Sequence, residues 1–156
     1  EGDMKVKTTG QLLALHARAG GQNGKLVLNL PPDRRGLIAD PDIRSLMGFK
    51  RLRDATFARK VIQGKSTELP FKKVSTVATV VLQEDLSQGQ RVKSFFVDAN
   101  INGTWQTIAN GTTIGNKRIL QFAPVDASAI RIQITDMKTA YFLKEISVYA
   151  PAKVSK

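Results

Sequence analysis

In "AIRIQITD" (129–136) the isoleucines Ile130, Ile132 and Ile134 stand at every second position. Successive side chains of a β-strand point to opposite faces, so these three share one face. A strand of this kind needs an apolar layer against that face, which constrains the fold more than any other feature of the chain. The pattern recurs through the second half. "VATVVLQED" (77–85) alternates loosely, and "KRILQFAP" (117–124) and "KEISVYAP" (144–151) are further short strands. "RVKSFFVDANING" (91–103) followed by "TWQTIANG" (104–111) predicts a hairpin, with Asn102-Gly103 as its two-residue turn. Trp105, directly after that turn, is expected in the core. Five or six short strands with turn signals between them predict an antiparallel β-sandwich over residues 61–156.

Residues 1–60 follow another grammar. "GQLLALHARAGG" (10–21) carries Leu12, Leu13, Leu15, Ala17 and Ala19 on a short helix that stops at Gly20-Gly21. "KLVLNL" (25–30) is apolar throughout, as expected of a strand buried on both faces. Such a strand needs neighbours that this chain does not supply, so it is expected to dock on an open sandwich edge or pair with a second copy. "PPDRRG" (31–36) is a rigid turn, because Pro31 and Pro32 fix φ and cannot donate hydrogen bonds. A second helix then starts, with Asp40 as predicted N-cap, Pro41 in its first position and Asp42 complementing the dipole. Ile43, Leu46, Met47 and Leu52 are placed on one face of it. "FARKVIQGKSTELPFKKVSTVATVV" (57–81) reads as a joining segment.

The absence of cysteine excludes disulfides and thiolate metal sites. No apolar run is long enough to span a membrane. The opening "EGDMKVKTTG" has no basic region followed by an apolar one, so no signal peptide is expected; Glu1 to Asp3 read as a remnant or as the cut end of a longer chain. The formal charge of +11 would attract polyanions or acidic surfaces. Aromatic residues make up only 6% and fall mostly at core-like positions, which argues against nucleic acid as the partner.

Two strings resemble a known family. "GQLLALHARAGGQNGKLVLNLPPDRRGLIADPDIRSL" (10–46) is similar to the closing segment of the catalytic barrel in the α-L-fucosidases of glycoside hydrolase family 29. "LSQGQRVKSF" (86–95) and "GTTIGNKRIL" (111–120) resemble the discoidin-like (factor 5/8 type C, galactose-binding-like) β-sandwich that follows this barrel in many bacterial fucosidases. The resemblance implies a parent that hydrolyses terminal α-L-fucosyl residues and is secreted or periplasmic in bacteria. It also implies that the catalytic nucleophile and acid/base lie on earlier barrel strands, outside this sequence. The sandwich's opening strands, where related modules carry a calcium loop, are expected to be missing. The chain is therefore expected to be a non-catalytic piece: residues 1–60 from the end of the barrel, residues 61–156 a truncated galactose-binding-like sandwich.

Retaining glycoside cleavage needs two carboxyl groups flanking one bond. No pair of acids here sits in such a signature; Asp33, Asp40 and Asp42 read as turn and cap residues, and Arg34 and Arg35 as partners of acids on neighbouring elements. His16, the single histidine, lies on an apolar helix and reads as structural. "GGQNG" and "GTTIG" match no phosphate-binding fingerprint and read as turns. No catalytic residue, cofactor or metal is assigned. By the resemblance, Asn29 at the end of the apolar run would line the floor of the parent's sugar pocket; its other reading is to hold the Pro31-Pro32 turn. Sugar binding by related sandwiches uses apical loops, here 83–91, 112–118 and 136–144. These offer Gln83, Arg91, Lys117 and Arg118 as donors, and Tyr141 and Phe142 as stacking rings or packing residues. The expected partners are galactose- or fucose-containing glycans, and the rest of a barrel or a second copy of the chain. The alternative function is polyanion binding, to nucleic acid or sulfated glycan.

Overall fold

The computed structural model of the chain describes residues 6–153, so the reading of Glu1 to Asp3 lies outside the described residues. Helix α1 (Thr9–Gly20) opens on a capping box: the Thr8 hydroxyl accepts from Gln11 N–H while the Gln11 side chain accepts from Thr8 N–H. It stops at Gly21, as the sequence predicts. A Cβ on Gly21 would stand 2.1 Å from the Ala17 carbonyl oxygen and 2.9 Å from Ile119, so only glycine lets the chain turn there against the sheet. Helix α2 (Asp40–Ala58) has Ala39, not Asp40, as its N-cap; Asp40 and Asp42 both fall in the first turn, where they favour the positive helix end. Its inner face carries Leu46, Phe49, Leu52, Thr56 and Phe57. Ile43 and Met47, expected inside, are 44% and 51% exposed. They lie on the flank of α2 that α1 and the sheet leave uncovered.

The remainder is one antiparallel sheet of β1 (Lys60–Gly64), β2 (Glu68–Glu84), β3 (Val92–Ile101), β4 (Thr104–Gly111), β5 (Arg118–Met137) and β6 (Leu143–Tyr149), in the order β1-β6-β2-β5-β3-β4. The Asn102-Gly103 turn is present, with φ of 52° and 84°, the left-handed pair that joins Ile101 to Thr104. The two strands expected at 117–124 and 129–136 are one bent strand, β5. Its ladder with β2 shifts between Pro70 and Ser75 and again between Val77 and Thr79. Bulges of this kind let a strand bend from one layer to the next. Val77, Val80, Leu82, Phe95, Val97, Ile130, Ile132, Ile146 and Val148 form the main core. The helices cover the other face, so the sheet must curl around this core itself, as a sandwich.

Two expectations need correction. Residues 60–64 and 68–81, within the stretch read as a joining segment, are strand: β1 pairs with β6, and Val61, Ile62, Leu69 and Phe71 pack on the core. "KLVLNL" is not a strand. Residues 24–31 join no ladder and Val27 is 87% exposed, because no partner strand within this chain reaches them.

On the outer face of the sheet, Val81, Ile119 and Tyr149 come from adjacent strands, since Val81 is the register partner of Ile119 and Thr79 that of Tyr149. Ala17 of α1 and Phe57 of α2 close over them. The Phe57 and Tyr149 rings meet edge to face at 5.4 Å, a geometry favoured by their quadrupoles. This second, smaller core seats the helices on the sheet.

Candidate functional site

Glu84 organises one end of the sandwich. It ends β2, is 2% exposed, and finds no cation within salt-bridge distance among the described residues. Its oxygens instead accept from the backbone N–H groups of Arg91 (2.7 Å), Val92 (3.1 Å) and Gly115 (3.1 Å). A carboxylate so surrounded satisfies donors that loops would otherwise leave unpaired. Asp85 N–H donates to Phe142 O, and Arg91 donates through Nη1 to Ala140 O and through Nη2 to Gln88. The three loops expected to be apical, 83–91, 112–118 and 136–144, are thereby tied at one end.

"GGQNG" and "GTTIG" prove to be two sides of one junction. Asn23, at φ of 66°, accepts from Lys117 N–H at 3.0 Å and donates to Ile114 O at 3.3 Å. The loop after α1 is thus fastened to the loop that Glu84 holds.

Beside that junction, where the helices meet the sheet, lies an open groove of about 580 Å³. Gln83 and Glu145, register partners on β2 and β6, form part of its floor with Tyr149. Arg53, Asp54 and His16 reach in from the helices, and Lys117 from the loop before β5. The Lys117 ammonium stands 5.9 Å from the centre of the Phe57 ring. Asp54 is engaged by Lys50 and Arg53 at 2.8 Å, and Glu145 by Gln63 and Ser147. Burial, then the charges of Lys117 and Arg53, push the His16 pKa down. It also stacks edge-on against Phe49 at 5.8 Å, in keeping with a structural role.

The candidate residues therefore separate. Gln83 and Lys117 meet in the groove. Arg91 and Phe142 stand at the apical end, where Phe142 is 58% exposed. Tyr141, partly buried, packs against the main core. Arg118 pairs with Leu82 in register and points to the side opposite Lys117, half-buried against Gly111; burial pushes its pKa down. Asn29 is exposed and borders a separate cavity of about 310 Å³ with Leu28, Asp42 and Ser45. The proline turn is held not by Asn29 but by Asp33, whose Oδ1 accepts from the N–H groups of Arg35 and Leu37. Arg35 pairs with this same Asp33 rather than with a neighbouring element. Trp105, expected in the core, lies on the outer sheet face under Arg131. Sequence reasoning also missed Glu84 and Asn23, whose roles depend on contacts distant in the chain.

Four of the acids have pKa values displaced from the ordinary carboxylate range. A general acid needs a pKa pushed up. Asp33, Asp54, Asp85 and Asp98 are all pushed down. A hydrogen bond from Arg35 does this at Asp33, one from Lys50 at Asp54 and the Ser87 N–H at Asp85; at Asp98 burial works upward and the bonds from Arg131, Thr107 and Gln133 outweigh it. Among the described residues, no group of three His, Asp or Glu side chains gathers to hold a metal, and no helix is long and apolar enough to cross a membrane.

No protein-family model matches the sequence. The crystal structure of SpGH29 superposes on 98% of this chain with a TM-score of 0.90 and 26% identity. The relatives of this chain are family 29 α-L-fucosidases. A family 29 glycoside hydrolase from an unknown rumen bacterium matches 96% of the chain, with a TM-score of 0.85 and 30% identity. The α-L-fucosidase 1 of Arabidopsis thaliana is 24% identical over 89% of it, and its Oryza sativa subsp. japonica counterpart 28% over 83%. This fucosidase-related chain spans about a third of the length of those two curated relatives, 41% of SpGH29 and 30% of the rumen enzyme. Its mainly antiparallel sheet matches their C-terminal β-sandwich.

Proposed function

We propose that this chain is the C-terminal portion of an α-L-fucosidase-like glycoside hydrolase and serves there as a non-catalytic, glycan-contacting module. In this reading the parent hydrolyses terminal α-L-fucosyl residues. Residues 1–60 close its barrel, with Asn29 near the sugar pocket, and residues 61–156 form the discoidin-like, galactose-binding-like sandwich beside it. The match of nearly the whole chain to less than half of SpGH29 carries the reading. The exposed Val27, Leu37, Ile43 and Met47 support it, since an apolar surface is what the remainder of a barrel would cover. The groove adds hydroxyl partners, Gln83 and Glu145, within reach of Lys117.

Two measurements test this. The purified chain is expected to release no fucose from an aryl α-L-fucoside; turnover abolished by an internal Asp or Glu substitution overturns the non-catalytic role. Titration with fucosylated and galactosylated oligosaccharides, followed by amide chemical shifts, should perturb Gln83 and Lys117 or Arg91 and Phe142. A flat titration at millimolar sugar refutes the glycan-contacting role. The second reading, a basic polyanion binder, is favoured by the +11 charge and is recognised by binding that collapses with added salt.

A further inference from the structure

We infer that the glycan this chain contacts is sulfated, and that it runs along a basic trough joining the helix–sheet groove to a second cavity at the β1 edge. The inference rests on the glycan-contacting reading above and adds the charge of the ligand.

The second cavity, of about 350 Å³, opens between β1 and the stretch of β2 that leaves the β5 ladder, residues 71–74. Val61, Ile62 and Phe71 give it an apolar floor, and Lys60, Lys72 and Lys73 stand around it with no acid among its lining residues. Lys60 joins the two spaces. It lines this cavity, its ammonium lies 5.8 Å from the centre of the Tyr149 ring that lines the groove, and it bonds Gln63, which in turn donates to Glu145 of the groove at 3.0 Å. Lys60, Lys72 and Lys73 thus continue the positive side of the groove, Arg53 and Lys117, around the edge of the sheet.

Lysines on an edge strand also guard against aggregation, but that role calls only for charge on the edge, not for charge around an apolar hollow. The groove's two acids, Asp54 and Glu145, are engaged by Lys50 and Arg53 and by Gln63 and Ser147, while the charges around the second cavity are successive and of one sign, which suits a polymer carrying repeated anions rather than a single carboxylate sugar. Its polar partners decide between polymers. Gln83 and Glu145 can accept from ring hydroxyls, which a glycan has in plenty and single-stranded DNA lacks. Binding of single-stranded nucleic acid also calls for a run of aromatic platforms for stacked bases. The groove's two rings are engaged with each other, Phe57 against Tyr149. Lysine ammonium groups serve as point charges and suit a sulfate ester without demanding planar, two-point geometry.

The test compares three polymers on the intact chain: a sulfated fucan, the same fucan chemically desulfated, and single-stranded DNA of similar length. The sulfated fucan is expected to bind at least about tenfold more tightly than either of the others at low salt. Replacing Lys60, Lys72 and Lys73 together by Gln should lower that affinity by about tenfold or more and flatten its dependence on salt by two to three charge equivalents. Replacing Lys25, Lys93 and Lys138, which lie outside both cavities, removes the same charge and should change binding less than about threefold. Equal loss in the two triple variants, with unchanged thermal melting, overturns the trough. Equal binding of the desulfated fucan leaves the glycan reading intact and overturns the sulfate assignment. Tighter binding of DNA, or no binding of either fucan, overturns both.

Discussion

The guanidinium of Arg131 lies 4.4 Å from the centre of the Trp105 ring, while its Nη2 is held 2.8 Å from Oδ2 of Asp98. Asp98, Trp105 and Arg131 come from three adjacent strands, β3, β4 and β5, and share the outer face left uncovered by the helices. The Asp98 side chain is 4% exposed and also accepts from Thr107 at 2.8 Å and from Gln133. Removing it by Asp98→Ala leaves these donors without their acceptor and should destabilise the fold by about 2–3 kcal/mol in urea denaturation.

Acid should act through the same group. The folded pKa of Asp98 is lowered, so its stabilising contribution is present above the unfolded value of about 3.9 and is lost as the pH falls through the folded value. The stability difference between wild type and Asp98→Asn, measured by denaturation, is therefore expected to shrink between about pH 5 and pH 2. A difference independent of pH contradicts the assignment.

Glu84→Ala strips the acceptor from three backbone N–H groups at once. A loss of about 3 kcal/mol is expected, together with faster amide exchange at Arg91, Val92 and Gly115. Glu84→Gln keeps the volume but turns an NH2 group toward a donor, so it should fall between wild type and the alanine variant.

Gly21→Ala places a methyl group against backbone at 2.1 Å and against Ile119 at 2.9 Å, where no flexible side chain can give way. Its expected effect is release of the helices from the sheet. Limited proteolysis should then cut within residues 22–58 while the sheet resists. Phe57→Ala, which empties the smaller core, should weaken the same attachment by about 2 kcal/mol without disturbing the main one.

Amides of Val27, Leu28 and Asn29 take part in no ladder, and the sequence-based expectation of a docked strand fails there. They should exchange in the fast regime, orders of magnitude ahead of Ile132 and Ile134. Protection equal to that of the β5 isoleucines would require pairing with a second copy.

What the sequence disclosed was local. Gly20-Gly21 and Asn102-Gly103 are local signals, and α1 and the β3–β4 hairpin stand where they were expected. Alternating isoleucines marked β5, but Pro70 and the lysines of "PFKK" hid the first half of β2, whose ladder is broken there. Uniform apolarity of "KLVLNL", and the placing of Ile43 and Met47 on an inner face, are statements about partners; partners from elsewhere cannot be seen in a segment's own periodicity. Trp105 was misplaced for a similar reason, since a large ring can be covered by an arginine as well as by a core. Of the candidate site, Gln83 and Lys117 were legible as loop-rim residues, whereas His16 and Arg53 join them only because Phe57 and Ala17 dock on Val81.

The pairing of β1 with β6 has a consequence for how the chain acquires its shape. Lys60 faces Tyr149 in the register, so among the described residues β1 pairs with β6, the strand of this sheet farthest from it in sequence. Contacts this remote in sequence carry a large loop-closure entropy and slow the search for the native state. During synthesis β1 lacks this ladder partner until β6 has left the ribosome, and the lysines at 60 and 65 keep that waiting edge charged. Ribosome-bound chains ending before residue 143 should accordingly hold the β3–β4 hairpin while β1 remains open to protease.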